Sequence, residues 1–503
     1  MMHTVLVLWV LAIYLVAALP TNFSISLGFG SHMVLQHGAQ SHPMIWGFDV
    51  VGSMVSVRLN NQTLPSNATD ATGLWRVRIP NKPAGGPYVI DVSSTSGGHA
   101  TLVDVYFGSV FVCGGQSNMQ FSLHGAFNAT AEIADAGNHP LIRVFTVGQG
   151  SGMNIPNPLQ DFVNVEQPWS VSSPTSIGNG DFTYFSAICY LFARNLQASQ
   201  PSMPMGMISA NWGGTCLSSW TPSDGEAVAS CGMTGTSGHA NLYNALINPL
   251  VVGPMALEGF LFSQGECDAD CNNTAFYTCA FAKFINDWRG KFRVPEAFFS
   301  FQVLPAYIND SGRFSPFSLP YERVAQLQGL LAGPHVYATN TIDLGDALGP
   351  YGSVHPRNKQ DVAKRMAAAA QALVFGDRTV PYLSPTYASA AYAVEGNDLT
   401  VTVTFAPAPP NSGVLSLRPA ACPVAQAVPL EECAWFDVQT ADGVWQNATG
   451  VALTADNAQL VLTVHGVGGQ GKPNATRGFF SPWPVVVLYS QEGLPVMPWW
   501  ESV

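Results

Sequence analysis

The feature that most constrains this chain of 503 residues is a long alternation of strand-like and helix-like segments. It begins with Tyr106–Cys113, an almost continuously apolar run of the kind found in parallel strands with both faces buried. It ends with Asn358–Leu373, where apolar residues recur at helical spacing. Between these two lie helix-like runs at Phe185–Leu196, Tyr243–Val252, Ala280–Trp288 and Glu322–Leu331, and strand-like runs at Met205–Ser209, Phe260–Phe262, Ala297–Val303 and His335–Thr339. The alternation predicts an α/β domain with a mostly parallel sheet.

The two flanks of this block show strand signals without helical periodicity. Residues 22–106 alternate short apolar stretches with turn sequences, and the tail from Pro381 onward carries only strand candidates. We therefore expect a signal peptide at 1–20, an N-terminal β-sandwich module at 21–105, the α/β domain at 106–378 and a C-terminal β module at 379–503.

The N-terminus predicts export. The apolar run Val5–Leu19 is short for a membrane span, which needs about 20 residues, and no basic stop-transfer flank follows it. A cleaved signal peptide is favoured, although the lack of a basic residue before the run keeps a signal anchor open. Asn-x-Ser/Thr sequons occur at Asn22, Asn61, Asn67, Asn128, Asn272, Asn309, Asn447 and Asn474. Together these signals predict an N-glycosylated protein, secreted or lysosomal, with no membrane span after cleavage.

The nine cysteines fit an oxidising compartment and leave one unpaired. Cys422 and Cys433 are the first disulfide candidate, and Cys113, inside an apolar strand, is expected to be a buried thiol. A second group contains Cys267, Cys271 and Cys279, with Cys216 and Cys231 as plausible partners. The spacings match no zinc site, so no metal is expected.

Charge excludes one class of partner. The net charge is −12, and no basic run is longer than two residues, which argues against nucleic-acid binding. Only 10% of residues are charged. Glycans on the sequons would replace the missing surface charge as solubilising groups.

A serine and a histidine are the candidate reacting groups. Ser117 follows the buried strand and two glycines, at the position where open α/β sheets place ligands, although it could equally be only a helix cap. His355 lies in a loop just before the last helix, from which an imidazole can reach across the sheet edge to act as general base. The alternative for His355 is a surface residue near a helix start. Glycines after Met205–Ser209 and Gln264 after Phe260–Phe262 are neutral donors of the kind used in oxyanion holes.

Four motifs together resemble those of the sialate O-acetylesterases, a branch of the SGNH (GDSL-like) hydrolases. They are Gly115-Gln116-Ser117-Asn118-Met119, Trp212-Gly213-Gly214-Thr215, Gln264-Gly265-Glu266 and Val354-His355-Pro356. The resemblance extends to Met33-Val34-Leu35-Gln36, Ile45-Trp46-Gly47 and Glu492-Gly493-Leu494-Pro495. It therefore covers nearly the whole mature chain.

The resemblance implies a serine esterase on a three-layer α/β/α domain flanked by β modules. Such an enzyme removes O-acetyl groups from sialic acids or sialoglycans without a metal or organic cofactor. Carried over position by position, Ser117 is the nucleophile and His355 the general base. The Ser117 amide, Gly214 and Gln264 are the implied oxyanion donors.

One position departs from the wider group. SGNH hydrolases usually place an aspartate three residues before the histidine, where this chain has Gly352. Asp343 and Asp346 are candidates for the missing partner, and a backbone carbonyl such as that of Ser353 is the alternative. Glu266 is expected to brace the loop that carries Gln264.

The substrate remains open among three readings. The first is a sialate O-acetylesterase, the second an acetylesterase for another glycan such as xylan, and the third an inactive carbohydrate-binding glycoprotein. The presence of nucleophile, base and oxyanion candidates favours an enzyme. An anionic substrate calls for a cationic contact, yet Arg323, Arg357 and Lys359 are expected to be solvated surface charges. The sequence does not indicate an oligomeric state.

Overall fold

The computed structural model describes residues 20–38, 41–180, 182, 184–232, 239–307, 318–406, 413–418 and 435–503. Residues 1–19 of the predicted signal peptide, together with Cys422 and Cys433, lie outside the described residues. No helix within the described ranges is long and apolar enough to cross a membrane.

The N-terminal module and the central sheet share one long strand. The strands of this part are β1 (Ser24–Ile25), β2 (Val34–Gln36), β3 (Met44–Phe48), β4 (Met54–Leu59), β5 (Gln62–Thr63), β6 (Asn67–Ala68), β7 (Leu74–Arg78), β8 (Gly85–Ser94) and β9 (His99–Gly115). The first half of β9 pairs with β8 and β2 in the N-terminal module. Its second half continues into the α/β domain, so the predicted boundary between residues 105 and 106 falls inside a continuous strand.

The central part contains the remaining strands of the large sheet and all the α-helices described. These elements are α1 (Ser117–Gln120), α2 (Ala129–Asp135), β10 (Ile142–Val147), β11 (Val165–Val171), α3 (Pro174–Ile177), α4 (Ala187–Ser199), β12 (Met205–Asn211), α5 (Leu217–Trp220), α6 (Glu226–Cys231), α7 (Asn248–Val251), β13 (Gly259–Ser263), α8 (Glu266–Asp270), α9 (Thr274–Phe292), β14 (Phe298–Val303), α10 (Ser318–Leu327), β15 (Val336–Asn340) and α11 (Lys359–Leu373). The strand order is β11-β10-β12-β9-β13-β14-β15. All neighbours along this path pair in parallel except the edge strand β11, which is antiparallel to β10.

Helices cover both faces of this sheet, because successive side chains of a buried strand point to opposite sides. On one face, Phe111 of β9 packs in a cluster with α4 and α11. On the other face, Val112 belongs to the cluster that contains the aromatic side of α9. The near-continuous hydrophobicity of β9, from which the buried strand was predicted, follows from this double burial.

The C-terminal module consists of strands only. They are β16 (Thr386–Glu395), β17 (Asp398–Ala406), β18 (Leu415–Leu417), β19 (Phe436–Gln439), β20 (Trp445–Asn447), β21 (Gly450–Leu453), β22 (Gln459–Val464), β23 (Ala475–Gly478), β24 (Leu488–Ser490) and β25 (Trp499–Ser502). They form two four-stranded antiparallel sheets and one two-stranded pair.

Arg323 joins this module to the α/β domain. Its guanidinium is fully buried and donates to the carbonyls of Leu304 and Pro305 on one side and of Ser481 and Pro482 on the other, at 2.7 to 2.9 Å. The expectation of a solvated charge at Arg323 is therefore wrong. Four carbonyl oxygens satisfy its donors inside the protein instead.

The mixed α/β fold with a large mixed sheet and flanking β modules is confirmed. Each helix-like and strand-like run predicted between Tyr106 and Leu373 overlaps an observed helix or strand. The short helices α2, α3, α5, α6 and α8 and the strands β10 and β11 were not predicted.

Candidate active site

The register of the parallel strands brings the predicted motifs together. Gly115, the last residue of β9, pairs with Asn211 at the end of β12 and with Ser263 at the end of β13. The chain segments that leave these three strands therefore start side by side at the carboxyl edge of the sheet. They carry Ser117, the Gly213-Gly214 pair and Gln264.

A tight turn presents Ser117 immediately after β9. Gly115 has a φ of +133°, and a Cβ added there would lie 2.1 Å from the Ser263 carbonyl oxygen, so only glycine fits. The next amide, that of Gln116, donates to the same carbonyl at 2.9 Å. Ser117 then begins α1 and remains half-buried, with its hydroxyl accessible to a partner from another loop.

His355 supplies that partner from the loop between β15 and α11. Its Nε2 lies 2.8 Å from Ser117 Oγ, across 238 residues of sequence. The ring of Phe182 packs edge-on against the imidazole, with a centroid distance of 5.0 Å. The serine and histidine predicted from sequence therefore form a hydrogen-bonded pair.

A backbone carbonyl occupies the place that an aspartate takes in most SGNH enzymes. His355 Nδ1 lies 2.8 Å from the carbonyl oxygen of Tyr351. Gly352 follows with a φ of +77°, a left-handed conformation that favours glycine. The Tyr351 ring packs against Phe121 and Phe182, which holds this peptide in place. A carbonyl only accepts, so Nδ1 carries the proton and Nε2 is left to accept from the Ser117 hydroxyl.

Neither predicted aspartate contacts the imidazole, which corrects the expectation for the third partner. Asp343 forms a two-point ion pair with Arg365, at 2.7 and 2.8 Å. Asp346 pairs with Arg357 in the same way, at 2.6 and 3.1 Å. The backbone alternative was right in kind, but the carbonyl belongs to Tyr351 rather than to Ser353. Each carboxylate is bound by an arginine instead of by His355, and the spacing of the motifs does not predict these ion pairs.

The two further oxyanion candidates have different surroundings. Gly214 has a φ of +70° and open space where a side chain would point, and its neighbour Gly213 approaches Ser117 so closely that an added Cβ would lie 3.3 Å from the Ser117 Cβ. Gln264 is buried, and its side-chain nitrogen donates to the Thr215 carbonyl at 3.1 Å and to Asp268 at 2.6 Å. Both amide hydrogens of Gln264 are thus engaged. The expectation that this side chain offers a donor to the substrate is corrected by these contacts.

Burial sets the electrostatics of the site. It lowers the pKa of His355 below 6.5, opposed by the Tyr351 hydrogen bond and reinforced by the nearby positive charge of Lys359. The imidazole of His355 is therefore neutral, and able to accept a proton, at neutral pH. Burial also raises the pKa of Asp268, which holds Gln264, to about 6.

The basic residues near the site do not offer a solvated charge. Lys359 is buried, contrary to the expectation, and its ammonium donates to Asn118 Oδ1 at 2.7 Å. Arg357 is partly exposed but engaged by Asp346 and stacked 4.7 Å over the Phe127 ring. Sequence reasoning missed Tyr351, Asp268 and the burial of Lys359. Tyr351 and Lys359 each lie only four residues from His355, so a helical or turn spacing around the histidine was the available signal.

Disulfides tie the loops of the site together. Cys216 bonds to Cys267, which links the segment after Gly214 to the segment after Gln264, and Cys231 bonds to Cys279. These pairs match the partners expected for the cluster. Cys271 is a free, exposed thiol, and its sulfur lies 4.0 Å from that of Cys216. These sulfurs do not make a metal site, because the two sulfurs joined in a disulfide are not thiolate ligands.

Cys113 corrects another expectation. It is buried as predicted, but it is bonded to Cys189 of α4 rather than free. The bond joins β9 to the helix that covers one face of the sheet.

Two cavities lie at opposite edges of the central sheet. A small one of about 60 Å³ is lined by Phe182, which packs against His355, and by Gln120, but by neither Ser117 nor His355. A larger one of about 840 Å³ is lined by Glu258 and Phe298, which lie at the amino ends of β13 and β14. It therefore opens at the opposite edge of the sheet, away from Ser117.

Comparisons with known proteins agree with this geometry. The family described as carbohydrate esterase, sialic acid-specific acetylesterase matches residues 108–348. Human sialate O-acetylesterase is 32% identical over 411 residues, which cover 75% of this chain and 77% of the human protein. The mouse sialate O-acetylesterase is 31% identical over 434 residues, covering 75% and 78%. This chain belongs to the sialic acid-specific acetylesterase family.

A solved structure supports the fold of this family member over nearly its full length. The crystal structure of a carbohydrate acetylesterase from Xanthomonas citri matches with a TM-score of 0.77 and 26% identity, covering 95% of this chain and 99% of that one. The family match includes Ser117, the Gly213-Gly214 pair and Gln264, whereas His355 lies seven residues beyond its end at 348. The protein is thus a carbohydrate esterase of the acetylesterase type. The hydrogen-bonded partner of Ser117 thus comes from the loop just outside the matched segment.

Proposed function

We propose that this esterase removes O-acetyl groups from sialic acids of glycoconjugates by a two-step serine mechanism. The observation that carries the proposal is the 2.8 Å contact between Ser117 Oγ and His355 Nε2, with Nδ1 fixed by the Tyr351 carbonyl. The names of the human and mouse relatives supply the substrate class. The three-layer α/β/α arrangement of SGNH hydrolases is part of the same proposal, and the helices on both sheet faces support it.

In the first step, His355 accepts the hydroxyl proton of Ser117 as the oxygen attacks the acetyl carbonyl. The resulting oxyanion is held by the amide of Ser117, at the start of α1, where helix N–H groups have no intrahelical acceptor. The amide of Gly214 is the second donor in this proposal. The sugar alcohol leaves with the proton from His355, and water activated by the same histidine then releases acetate.

The decisive experiment is acetate release from O-acetylated sialic acid by Ser117→Ala. We expect the loss of all measurable turnover with an unchanged melting temperature, and labelling of the wild type, but not the variant, by a fluorophosphonate probe. Ser202→Ala, the same change at an exposed serine, is the matched control and keeps full activity. Turnover that persists in Ser117→Ala would remove this serine from the mechanism.

A second candidate, an acetylesterase for another glycan such as xylan, uses the same residues. The acidic net charge and the engaged state of Arg357 and Lys359 favour a neutral glycan on electrostatic grounds, whereas the relatives favour sialic acid. A comparison of kcat/KM on acetylated sialoglycan and acetylated xylan decides between them. An inactive binding protein would release acetate from neither and would not react with the fluorophosphonate.

We also propose that the protein is N-glycosylated and either secreted or lysosomal. The seven sequon asparagines in the described ranges are all exposed, and three disulfides are present there. Asn309, the eighth sequon, lies outside the described residues. Expression in animal cells, followed by glycosidase treatment and analysis of medium and lysosomal fractions, tests this proposal.

A further inference from the structure

A buried lysine lies beside the Ser117–His355 pair without taking part in it directly. Lys359, the first residue of α11, is 1% exposed. Its ammonium donates to Asn118 Oδ1 at 2.7 Å and stacks 4.7 Å above the Phe121 ring. A charged ammonium is rarely buried unless it is paired, so its partners define its role.

Asn118 connects that lysine to both halves of the reacting pair. The side chain is fully buried and follows Ser117 directly. Its nitrogen donates to the carbonyl of Val354, the residue before His355, at 2.9 Å and to Glu266 Oε1 at 2.5 Å. One amide thus joins the nucleophile turn, the histidine loop, the start of α8 and the start of α11.

A cationic and an acidic side chain lie on opposite sides of the Asn118 amide. The oxygen of Asn118 faces the ammonium of Lys359, and its nitrogen faces the carboxyl group of Glu266. Burial raises the pKa of Glu266. Burial lowers the pKa of Lys359 to about 7, opposed by the negative charges of Glu266 and Asp346. The lysine therefore gains its proton as the pH falls through about 7.

His355 lacks the carboxylate that usually faces a catalytic imidazole. Its two nitrogens contact the Tyr351 carbonyl and the Ser117 hydroxyl, and its face contacts Phe182. The charged groups of the surrounding elements are Lys359 on α11, Glu266 on α8 and the Asp346–Arg357 pair of its own loop. Of these, the ammonium of Lys359 is the cation that lies one amide away from the histidine loop, through the hydrogen bonds of Asn118 to Lys359 and to the Val354 carbonyl.

We infer that Asn118 and Lys359 are positioning residues for the reaction. The amide of Asn118 holds the histidine loop against the nucleophile turn, and the ammonium of Lys359 keeps the resting imidazole neutral as the medium becomes acidic. The kinetic part of this inference rests on the proposed function. The titration of His355 does not, since it can be followed without turnover.

The charge effect is tested with the variant Lys359→Met in the full mature chain. The titration of the His355 ring is followed by NMR of [13C]histidine-labelled protein, and the His355 signal is assigned as the one that is lost in His355→Gln. The midpoint of the His355 titration should rise by about 0.5 to 1 pH unit. This is less than the shift of about 1–3 units that a directly adjacent charge causes, because the neutral amide of Asn118 lies between Lys359 and the histidine loop. The acid limb of kcat/KM for p-nitrophenyl acetate should move by the same amount. Lys359→Arg retains the charge and should restore the wild-type midpoint.

Two controls separate this effect from a loss of folding. Lys364→Met removes an exposed charge from the same helix and should leave the His355 midpoint unchanged. Lys359→Met with Glu266→Gln removes both buried charges, so it avoids an unpaired carboxylate if the single variant does not fold, and its midpoint should also rise. A His355 midpoint that stays at the wild-type value in a folded Lys359→Met or double variant overturns the electrostatic role.

Asn118→Ala tests the positioning role. It should lower kcat for p-nitrophenyl acetate at least tenfold and leave KM within twofold, because the loop that carries the base is released while the pocket is kept. An unchanged kcat overturns this role. A wild type that releases acetate from no ester would contradict the proposed function alone, since the NMR titrations would still report on Lys359.

Discussion

Replacement of Asp346 by asparagine separates two ways of orienting His355, the histidine that we propose as the general base. In a serine protease triad, the same Asp→Asn change lowers kcat about 10⁴-fold, which is about 5.4 kcal/mol of barrier at 1.36 kcal/mol per tenfold. Here the Tyr351 carbonyl holds His355 Nδ1, and Asp346 instead pairs with Arg357, whose side chain is 31% exposed. The variant loses this partly exposed ion pair, which is worth about 1 kcal/mol at most.

The expected kinetic effect follows from that number. If the whole of about 1 kcal/mol reached the transition state, kcat would fall only about fivefold. The assay is p-nitrophenyl acetate hydrolysis at pH 7.5, where the imidazole is neutral, with thermal unfolding measured in parallel. Asp343→Asn is the companion variant: its pair with Arg365 is more deeply buried, so the melting temperature should fall while kcat is kept. A loss of a thousandfold or more in a stably folded Asp346→Asn would refute the carbonyl-based orientation.

Three further predictions concern pH, the domain junction and a disulfide. Because burial lowers the pKa of His355 below 6.5 and the base must be neutral, kcat/KM should rise with pH through a midpoint below 6.5; a midpoint at or above 6.5 contradicts this. Arg323→Met leaves four buried carbonyls without their donor, each at a cost of about 1–3 kcal/mol, so the free energy of unfolding in denaturant titration should fall by about 3 kcal/mol or more. An unchanged free energy of unfolding would contradict this. Replacement of Cys113 and Cys189 by alanine opens a bridge across 76 residues and should lower stability by about 4 kcal/mol, seen as a lower melting temperature.

The positions of Ser117 and His355 could be predicted because their signals are local. One strand end is predicted by an apolar run of strand length that is followed by two glycines and a serine. One helix start is predicted by the amphipathic segment after His355. Parallel pairing then brings such ends to one edge of a sheet, whatever the details of packing. The same reasoning placed Gly213 and Gly214 beside Ser117.

The partners of these groups could not be predicted, because they carry no side-chain signature. The carbonyl of Tyr351 is chemically the same as that of any other residue, so no residue type in the sequence marks it as the partner of His355. The same holds for the four carbonyls that accept from Arg323. Gln264 was assigned a free donor because the motif does not show that Asp268, four residues later, binds the same amide. The Cys113–Cys189 bond joins a strand to a helix through tertiary packing, so the spacing of 76 residues contained no hint of it.

The strand shared by the N-terminal module and the central sheet, β9, has a consequence for how the chain can be divided. Residues His99–Phe107 of β9 bond to β8, residues Ser109–Gly115 bond to β12, and Ser117 follows two residues after the strand ends. A fragment that starts at residue 106 would cut through this backbone ladder and would lack β2 and β8, the strands that pair with β9 in the N-terminal module. We therefore expect that the smallest fragment able to fold with Ser117 in its place includes the N-terminal module, because one strand runs from that module to the turn that carries this serine.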